Sequence, residues 1–203
     1  MATVLAALLV TSCATTQDFV TGESTRNFYT VRDDIRMGNA TFEEMKVQLE
    51  KDGVAKVSGN KADVERVNTI AERIFDATGQ RDVFEFEATL FESEVVNAFA
   101  VPGGKIAVFS GIWAAEDGLV KDDDELAAVI AHEVAHVTCR HSTEAMTRHM
   151  PAQLALLGLG IFASMQEDQR WETAAQSAFL VYNGLVVPKY SRTDEFEADS
   201  VSM

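Results

Sequence analysis

Positive charge is scarce in this chain: 17 Lys and Arg stand against 32 Asp and Glu, leaving a net charge of −15 over 203 residues. So acidic a surface repels phosphate backbones and anionic lipid headgroups, which argues against nucleic acid as a partner and against electrostatic membrane docking. Proline is scarcer still, with three, and the 12 Gly show no repeat, so collagen-like and Pro-rich architectures are excluded. Two cysteines, Cys13 and Cys139, cannot build a disulfide framework. Long apolar runs are missing too: the strongest, residues 152–165, falls short of the ~20 residues a helix needs to cross a bilayer. What remains is ordinary globular composition, 47% hydrophobic and 24% charged, enough for one domain with a real core.

The chain opens MATVLAALLVTSC. Residues Val4 to Val10 suit the apolar region of a secretory signal, and Val10-Thr11-Ser12-Cys13 resembles a bacterial lipobox. Residues 1–13 are therefore expected to be a lipoprotein signal, with Cys13 the site of lipidation. Acylation of Cys13 leaves Cys139 alone in an apolar helical pattern, as a buried inert thiol. Residues 14–40 are polar and weakly periodic, and read as a tether followed by loosely packed structure.

The folded domain is expected from residue 41. Thr41-Phe42-Glu43-Glu44 resembles a capping box opening a helix to about Lys51. Val64, Val67, Ile70, Ala71, Ile74 and Phe75 recur at helical spacing, with Gly79 as the stop. The period then changes to two: Phe84 to Leu90, Val95 to Val101 and Lys105 to Phe109 read as strands, the last two joined by a Pro102-Gly103-Gly104 turn. Asp122 to Glu125 supply a cap and first-turn negative charge for a long helix from Leu126 to about His149, ending before Pro151. Residues 151–165 read as a buried helix or an apolar flap, Trp171 to Leu185 as another helix, and a last helix begins near Arg192. The expected fold class is α+β, mostly helical, with a small antiparallel sheet of about three strands.

Inside the long helix lies His132-Glu133-Val134-Ala135-His136, an HExxH pattern. Histidines at i and i+4 project from one helical face, one turn apart, so both imidazoles can reach a single cation. Glu133 is rotated by about 100° from His132 and can act on a water at the ion without ligating it. The surrounding helix is apolar, and two His and a Glu in such a stripe are costly without partners. Imidazole pairs suit zinc, whose catalytic sites take three protein ligands and keep one position open. A metzincin pattern requires Gly at 139 and His at 142, where this chain has Cys139 and Ser142. The third ligand is then a downstream carboxylate among Glu144, Glu167, Glu172, Glu195, Glu197 and Asp199. In Ser191-Arg192-Thr193-Asp194-Glu195-Phe196-Glu197-Ala198-Asp199 a helix puts Glu195 and Asp199 on one face, with Glu197 pointing away. Glu195 can ligate there while Asp199 accepts the outer N–H of a ligand histidine. Arg140 reads as structural, paired with an acidic neighbour; His141 as a satisfied helix histidine; His149 as a match to the helix dipole.

HEVAH followed by SRTDEFEAD resembles the HtpX-like and CAAX prenyl protease-like family of zinc metallopeptidases, HExxH proteins of the gluzincin type. Asn97 to Gly104 (NAFAVPGG) resembles the family's cleft-bordering segment, and His132 to His141 (HEVAHVTCRH) its extended helix signature. The resemblance implies one zinc per chain on His132, His136 and Glu195, with Glu133 as general base and Asp199 supporting a ligand histidine. The edge at Asn97, Ala98, Phe99 and Ala100 is expected to pair with an extended polypeptide substrate. With the lipobox, the resemblance points to the soluble periplasmic lipoprotein branch. It implies an outer-membrane lipoprotein, anchored through Cys13, that hydrolyses misfolded or unassembled cell-envelope proteins. The rival expectation is a non-catalytic periplasmic chaperone or assembly factor using the same cleft. Members of the family continue past this helix and supply a further His or Arg, so the metallopeptidase domain, residues 41–203, is expected to continue beyond Met203.

Overall fold

The computed structural model describes residues 24–165 and 190–203, together with 15–17 and Gly22. Two short strands, β1 (Thr15–Gln17) and β2 (Ser24–Arg26), pair antiparallel. They lead into α1 (Val31–Lys51), β3 (Lys56–Val57), α2 (Lys61–Ala77), β4 (Glu87–Glu92), β5 (Ala98–Val101) and β6 (Lys105–Phe109). A short α3 (Gly111–Ala114), then α4 (Asp123–Thr138), α5 (His141–Ser164) and α6 (Arg192–Ser202) complete the described chain. The lipobox with Cys13 and the helix expected over 171–185 lie outside the described residues.

The main sheet has the order β3-β4-β6-β5. It is four-stranded and mixed rather than a three-stranded antiparallel sheet: β4 and β6 run parallel, Glu87 opposite Lys105 through Phe91 opposite Phe109. The short segment after β4 passes over the end of β6 before β5 returns antiparallel on its far side. Ser110 ties that crossing, donating its hydroxyl to the Ser93 carbonyl and accepting from the Ser93 N–H, both at 3.1 Å. Strict alternation in β6 decides the layers. Ile106 and Val108 face a core shared with α2 and α4 (Val67, Phe75, Leu126, Ile130), whereas Ala107 and Phe109 face α1 through Phe42 and Phe91. A central strand covered on both faces needs both of its side-chain sets apolar, and β6 provides them. The α+β, mostly helical class therefore holds.

The N-terminal boundary differs from the sequence expectation. Helix α1 starts at Val31, not 41, capped by Thr30 in a capping box with Asp33. Thr41 lies within it. Part of the segment read as loosely packed is core: Asn27 and Asp34 are buried, and Asn27 donates to Thr143 at 2.8 Å. Gly38 and Gly103 explain how α1 meets the Pro102-Gly103-Gly104 turn. A Cβ on Gly38 would lie 1.7 Å from the Pro102 carbonyl oxygen, and Gly103, at φ 83, would place one 2.4 Å from Ile35 Cα. The turn is seated on α1 by the absence of side chains.

The long helix expected to His149 is two helices. Cys139 ends α4, and Arg140 adopts a left-handed conformation (φ 59) before α5 begins at His141. A non-glycine residue in that region costs about 1 kcal/mol or more. Arg140 is held there by a buried pair with Asp34 (Nε to Oδ2 2.6 Å) and by a hydrogen bond to the Tyr29 carbonyl. The acidic neighbour expected for Arg140 is thus on α1, more than a hundred residues upstream. Arg140→Ala strands a buried carboxylate and is expected to destabilise the fold by about 3–5 kcal/mol in urea unfolding. A loss below 1 kcal/mol would contradict this. Helix α5 continues through Pro151 to Ser164, so residues 151–164 extend an existing helix, and with Leu154, Leu157, Ile161 and Phe162 exposed it is not the buried helix expected. Among the described residues no helix is long and apolar enough to cross a membrane.

Candidate metal centre

Helix α4 is capped at Asp122, whose carboxylate accepts from the Glu125 N–H at 2.9 Å. Its Leu126, Ile130, Val134 and Val137 stripe is anchored in the core below β6. That anchoring turns the His132 and His136 face outward, toward α6. Helix α6 is held at its start by two devices. Ser191 and Asp194 form a capping box, and Arg148 on α5 reaches the Asp194 carboxylate, Nη1 to Oδ1 at 3.1 Å. Burial pushes the Asp194 carboxyl up, but its bonds from Arg148 and Ser191 outweigh this and hold it below the usual range. The next residue along is Glu195.

The two helices bring three donor atoms together. His132 Nε2 lies 3.0 Å from His136 Nε2; Glu195 Oε2 is 3.4 Å from the first and 3.8 Å from the second. Donors roughly 2.1 Å from a tetrahedral zinc stand about 3.4 Å apart, so the observed spacing brackets what one ion requires. The outer ring atoms agree. His132 Nδ1 lies 3.0 Å from Asp199 Oδ1, a carboxylate that can only accept, so Nδ1 is the donor there and Nε2 is the ring nitrogen left to present a lone pair to an ion. A lone pair aimed at a second imidazole nitrogen and a carboxylate oxygen is the donor set of a cation site. His136 is buried, His132 half-buried and Glu195 exposed, which leaves the open side of the cluster toward solvent.

Glu133 sits on the opposite flank, toward the sheet. Burial pushes its carboxyl up to about 7; a hydrogen bond from the Ala100 backbone opposes this, and the nearby Glu195 charge adds to it. His136 is pushed down to about 4, first by burial and then by the adjacent His141 and His132. The imidazole is therefore neutral, as a ligand must be. Raising Glu133 has a measurable consequence for the metal-free chain. The folded state keeps this proton to about pH 7, whereas the unfolded chain releases it near 4.5. The cost of charging it is absent below pH ~4.5 and complete above pH ~7. Metal-free Glu133→Gln is then expected to be more stable than its parent at pH 8, by about 3 kcal/mol, with no difference at pH 4. Denaturant melts in chelator at the two pH values measure this; a pH-independent difference would contradict it.

The bond from Ala100 identifies the sheet's free edge. Phe109 N–H donates to the Asn97 carbonyl at 3.1 Å, so Asn97, Phe99 and Val101 turn their backbone groups toward β6. Ala98 and Ala100 turn theirs outward, and among the described residues β5 pairs on one side only. The expected edge set of Asn97, Ala98, Phe99 and Ala100 is accordingly narrower. Phe99 leaves it: its ring packs 5.9 Å from Phe109 on the α1 side, and its backbone belongs to β6. Asn97 offers only an exposed side chain.

Three further residues lie against the cluster. Tyr190 stacks on His136, ring centroids 4.2 Å apart and 15° from parallel, and its hydroxyl meets Ser142 at 2.7 Å. His141 Nδ1 lies 2.8 Å from His136 Nδ1, and Glu197 reaches His141 Nε2 at 3.3 Å. The Arg140 break makes that contact, and no glycine marks the break in the sequence. Tyr190 carries no periodic signal of its own.

Comparison with known proteins decides the family. The model of peptidase family M48 matches residues 61–203, well over half of the chain. The chain belongs to peptidase family M48. The M48 match spans α2 through α6 and includes every donor of the cluster. Among relatives, the mitochondrial metalloendopeptidase OMA1 of Schizosaccharomyces pombe is 36% identical over 139 residues, 68% of this chain and 37% of that protein. The β-barrel assembly-enhancing protease of Yersinia pestis is 30% identical over 140 residues, 68% of this chain and 28% of its own length. The Vibrio cholerae protein named as a putative β-barrel assembly-enhancing protease is 36% identical over 107 residues, 51% and 21% of the two chains. The chain thus spans well under half the length of these relatives. M48 proteins are metallopeptidases, and the cluster of His132, His136 and Glu195 is where this one can hold an ion. The contact between Asp199 and His132 gives a direct expectation: Asp199→Ala frees the His132 ring and weakens zinc binding by about 10–100-fold. Competition with a fluorescent chelator measures it, and unchanged affinity would contradict it.

Proposed function

We propose that this chain carries the catalytic domain of a zinc-dependent endopeptidase acting on misfolded or unassembled polypeptides of the cell envelope. The observation that carries the reading is the meeting of His132 Nε2, His136 Nε2 and Glu195 Oε2 within 3.8 Å of one another, with Glu133 desolvated beside them. His132, His136 and Glu195 would hold a zinc ion there, which would supply Lewis acidity for the scissile carbonyl and for the attacking water. Glu133, beside the site, would take a proton from that water and deliver it to the leaving amine. Asp199 fixes the His132 tautomer. The outward N–H and carbonyl of Ala98, and the carbonyl of Ala100, align an extended polypeptide along β5 by main-chain bonds alone. Recognition of that kind has little side-chain preference, which suits unfolded clients.

The envelope location rests on two supports: the lipobox reading of Cys13 and the names of the Yersinia and Vibrio relatives. On this reading the chain is a lipoprotein held at the periplasmic side of the outer membrane through Cys13. Casein hydrolysis by the purified chain tests the activity. The expected result is cleavage that a chelator abolishes and one equivalent of zinc restores. Suppression of client aggregation with no cleavage at full zinc loading would replace the protease reading with the chaperone one.

A further inference from the structure

We propose that His141 and Glu197 are positioning residues for the metal centre, forming a relay that fixes the tautomer and orientation of His136. The inference rests on the reading of His136 as a zinc ligand through Nε2. If Nε2 gives its lone pair to the ion, the ring proton sits on Nδ1. The atom facing that proton is His141 Nδ1, at 2.8 Å, which must then accept. His141 in turn carries its proton on Nε2, and the atom facing Nε2 is Glu197 Oε2, at 3.3 Å. Each step leaves one choice of tautomer, and the chain terminates on a carboxylate that can only accept. His141 is fully buried, while Glu197 is half-buried. Tyr190 closes the remaining freedom of His136 by stacking on its face.

The relay mirrors the other ligand. His132 leans directly on Asp199, one link from ring to carboxylate. His136 leans on Glu197 through a second imidazole. Both supporting carboxylates and the third donor, Glu195, come from the same eleven-residue helix α6. That helix thus supplies one ligand and the anionic end of both outer hydrogen bonds. The break at Arg140 is what makes the second arrangement available: it starts α5 at His141 and turns that imidazole toward His136 from outside α4. A carboxylate at the end of such a chain raises the basicity of the ligating nitrogen and holds its ring in register.

The test measures zinc affinity of the full chain by competition with a fluorescent chelator, with the unfolding midpoint of each metal-free variant as a control for folding. His141→Leu removes the acceptor and is expected to weaken zinc binding by about 10–100-fold. His141→Asn keeps an oxygen acceptor at the position of Nδ1 but loses the link to Glu197, and is expected to lose clearly less affinity than His141→Leu. Glu197→Ala is expected to weaken binding more than Glu197→Gln, which keeps an acceptor and loses the charge. Equal losses for His141→Leu and His141→Asn, or none for either, would overturn the relay while leaving the parent's zinc site intact. A parent chain that binds no zinc would overturn the underlying reading as well. A second zinc equivalent, lost in Cys139→Ser, would place an ion among Cys139, His141 and Glu197 and likewise overturn the relay. Long-range nitrogen–proton spectra of the zinc-loaded parent read the tautomers without any substitution: the expected pattern is a protonated Nδ1 on His136 and a protonated Nε2 on His141. A protonated Nδ1 on His141 would contradict it.

Discussion

Glu133→Gln is expected to lower peptide hydrolysis by about 10²–10⁴-fold while leaving one zinc per chain. The carboxylate faces the cluster from the sheet side, contacts the Ala100 backbone and is not among the three converging donors. Glutamine keeps the shape and an acceptor for that backbone N–H, so the fold has no reason to change. It cannot take a proton from water near neutral pH, and that is the function assigned to the side chain. The variant therefore separates binding from chemistry: metal content and substrate affinity stay, and turnover goes. Casein cleavage at the parent's rate, with zinc bound, would show that Glu133 is not the base.

Glu195→Ala is expected to weaken zinc binding by more than the roughly 100-fold upper limit for losing an outer hydrogen-bond partner. Two imidazoles remain, but the third corner of the cluster opens to solvent, since Glu195 is the exposed member of the set. The helix itself is expected to survive. Its start is fixed by the Ser191 and Asp194 capping box and by Arg148, none of which involves Glu195, and alanine is a strong helix former. Circular dichroism unchanged with zinc lost is the predicted combination. Loss of helix together with zinc would mean that Glu195 holds α6 in place rather than the ion.

The site was largely legible because its parts are local patterns. HExxH needs only the helical period to put His132 and His136 on one face, and Glu195 and Asp199 need only the same period in a second helix. The capping box at Ser191 marks where that helix begins. What sequence could not give was the relation between elements. Helix α4 looks continuous with α5 because nothing in Cys139-Arg140-His141 signals a left-handed residue; the price of that backbone is met by Asp34, far upstream. His141 was consequently read as a histidine of the same helix, and its contacts with His136 and Glu197 follow only from the break. The sheet shows the same limit. Lys105 to Phe109 is bounded correctly by alternation, yet alternation is silent on partner order, and the parallel pairing of β4 with β6 depends on a crossing that only the three-dimensional chain reveals. The start of α1 was missed because polar residues such as Asn27 and Asp34 are buried there by specific partners rather than by hydrophobicity.

The most direct measurement is the zinc coordination of the purified chain, by metal analysis combined with a crystal structure collected at the zinc absorption edge. One ion per chain, bonded to His132 Nε2, His136 Nε2 and a Glu195 carboxylate oxygen, is the predicted result. An ion bound elsewhere, or a protein that retains no zinc after purification and reconstitution, would contradict it.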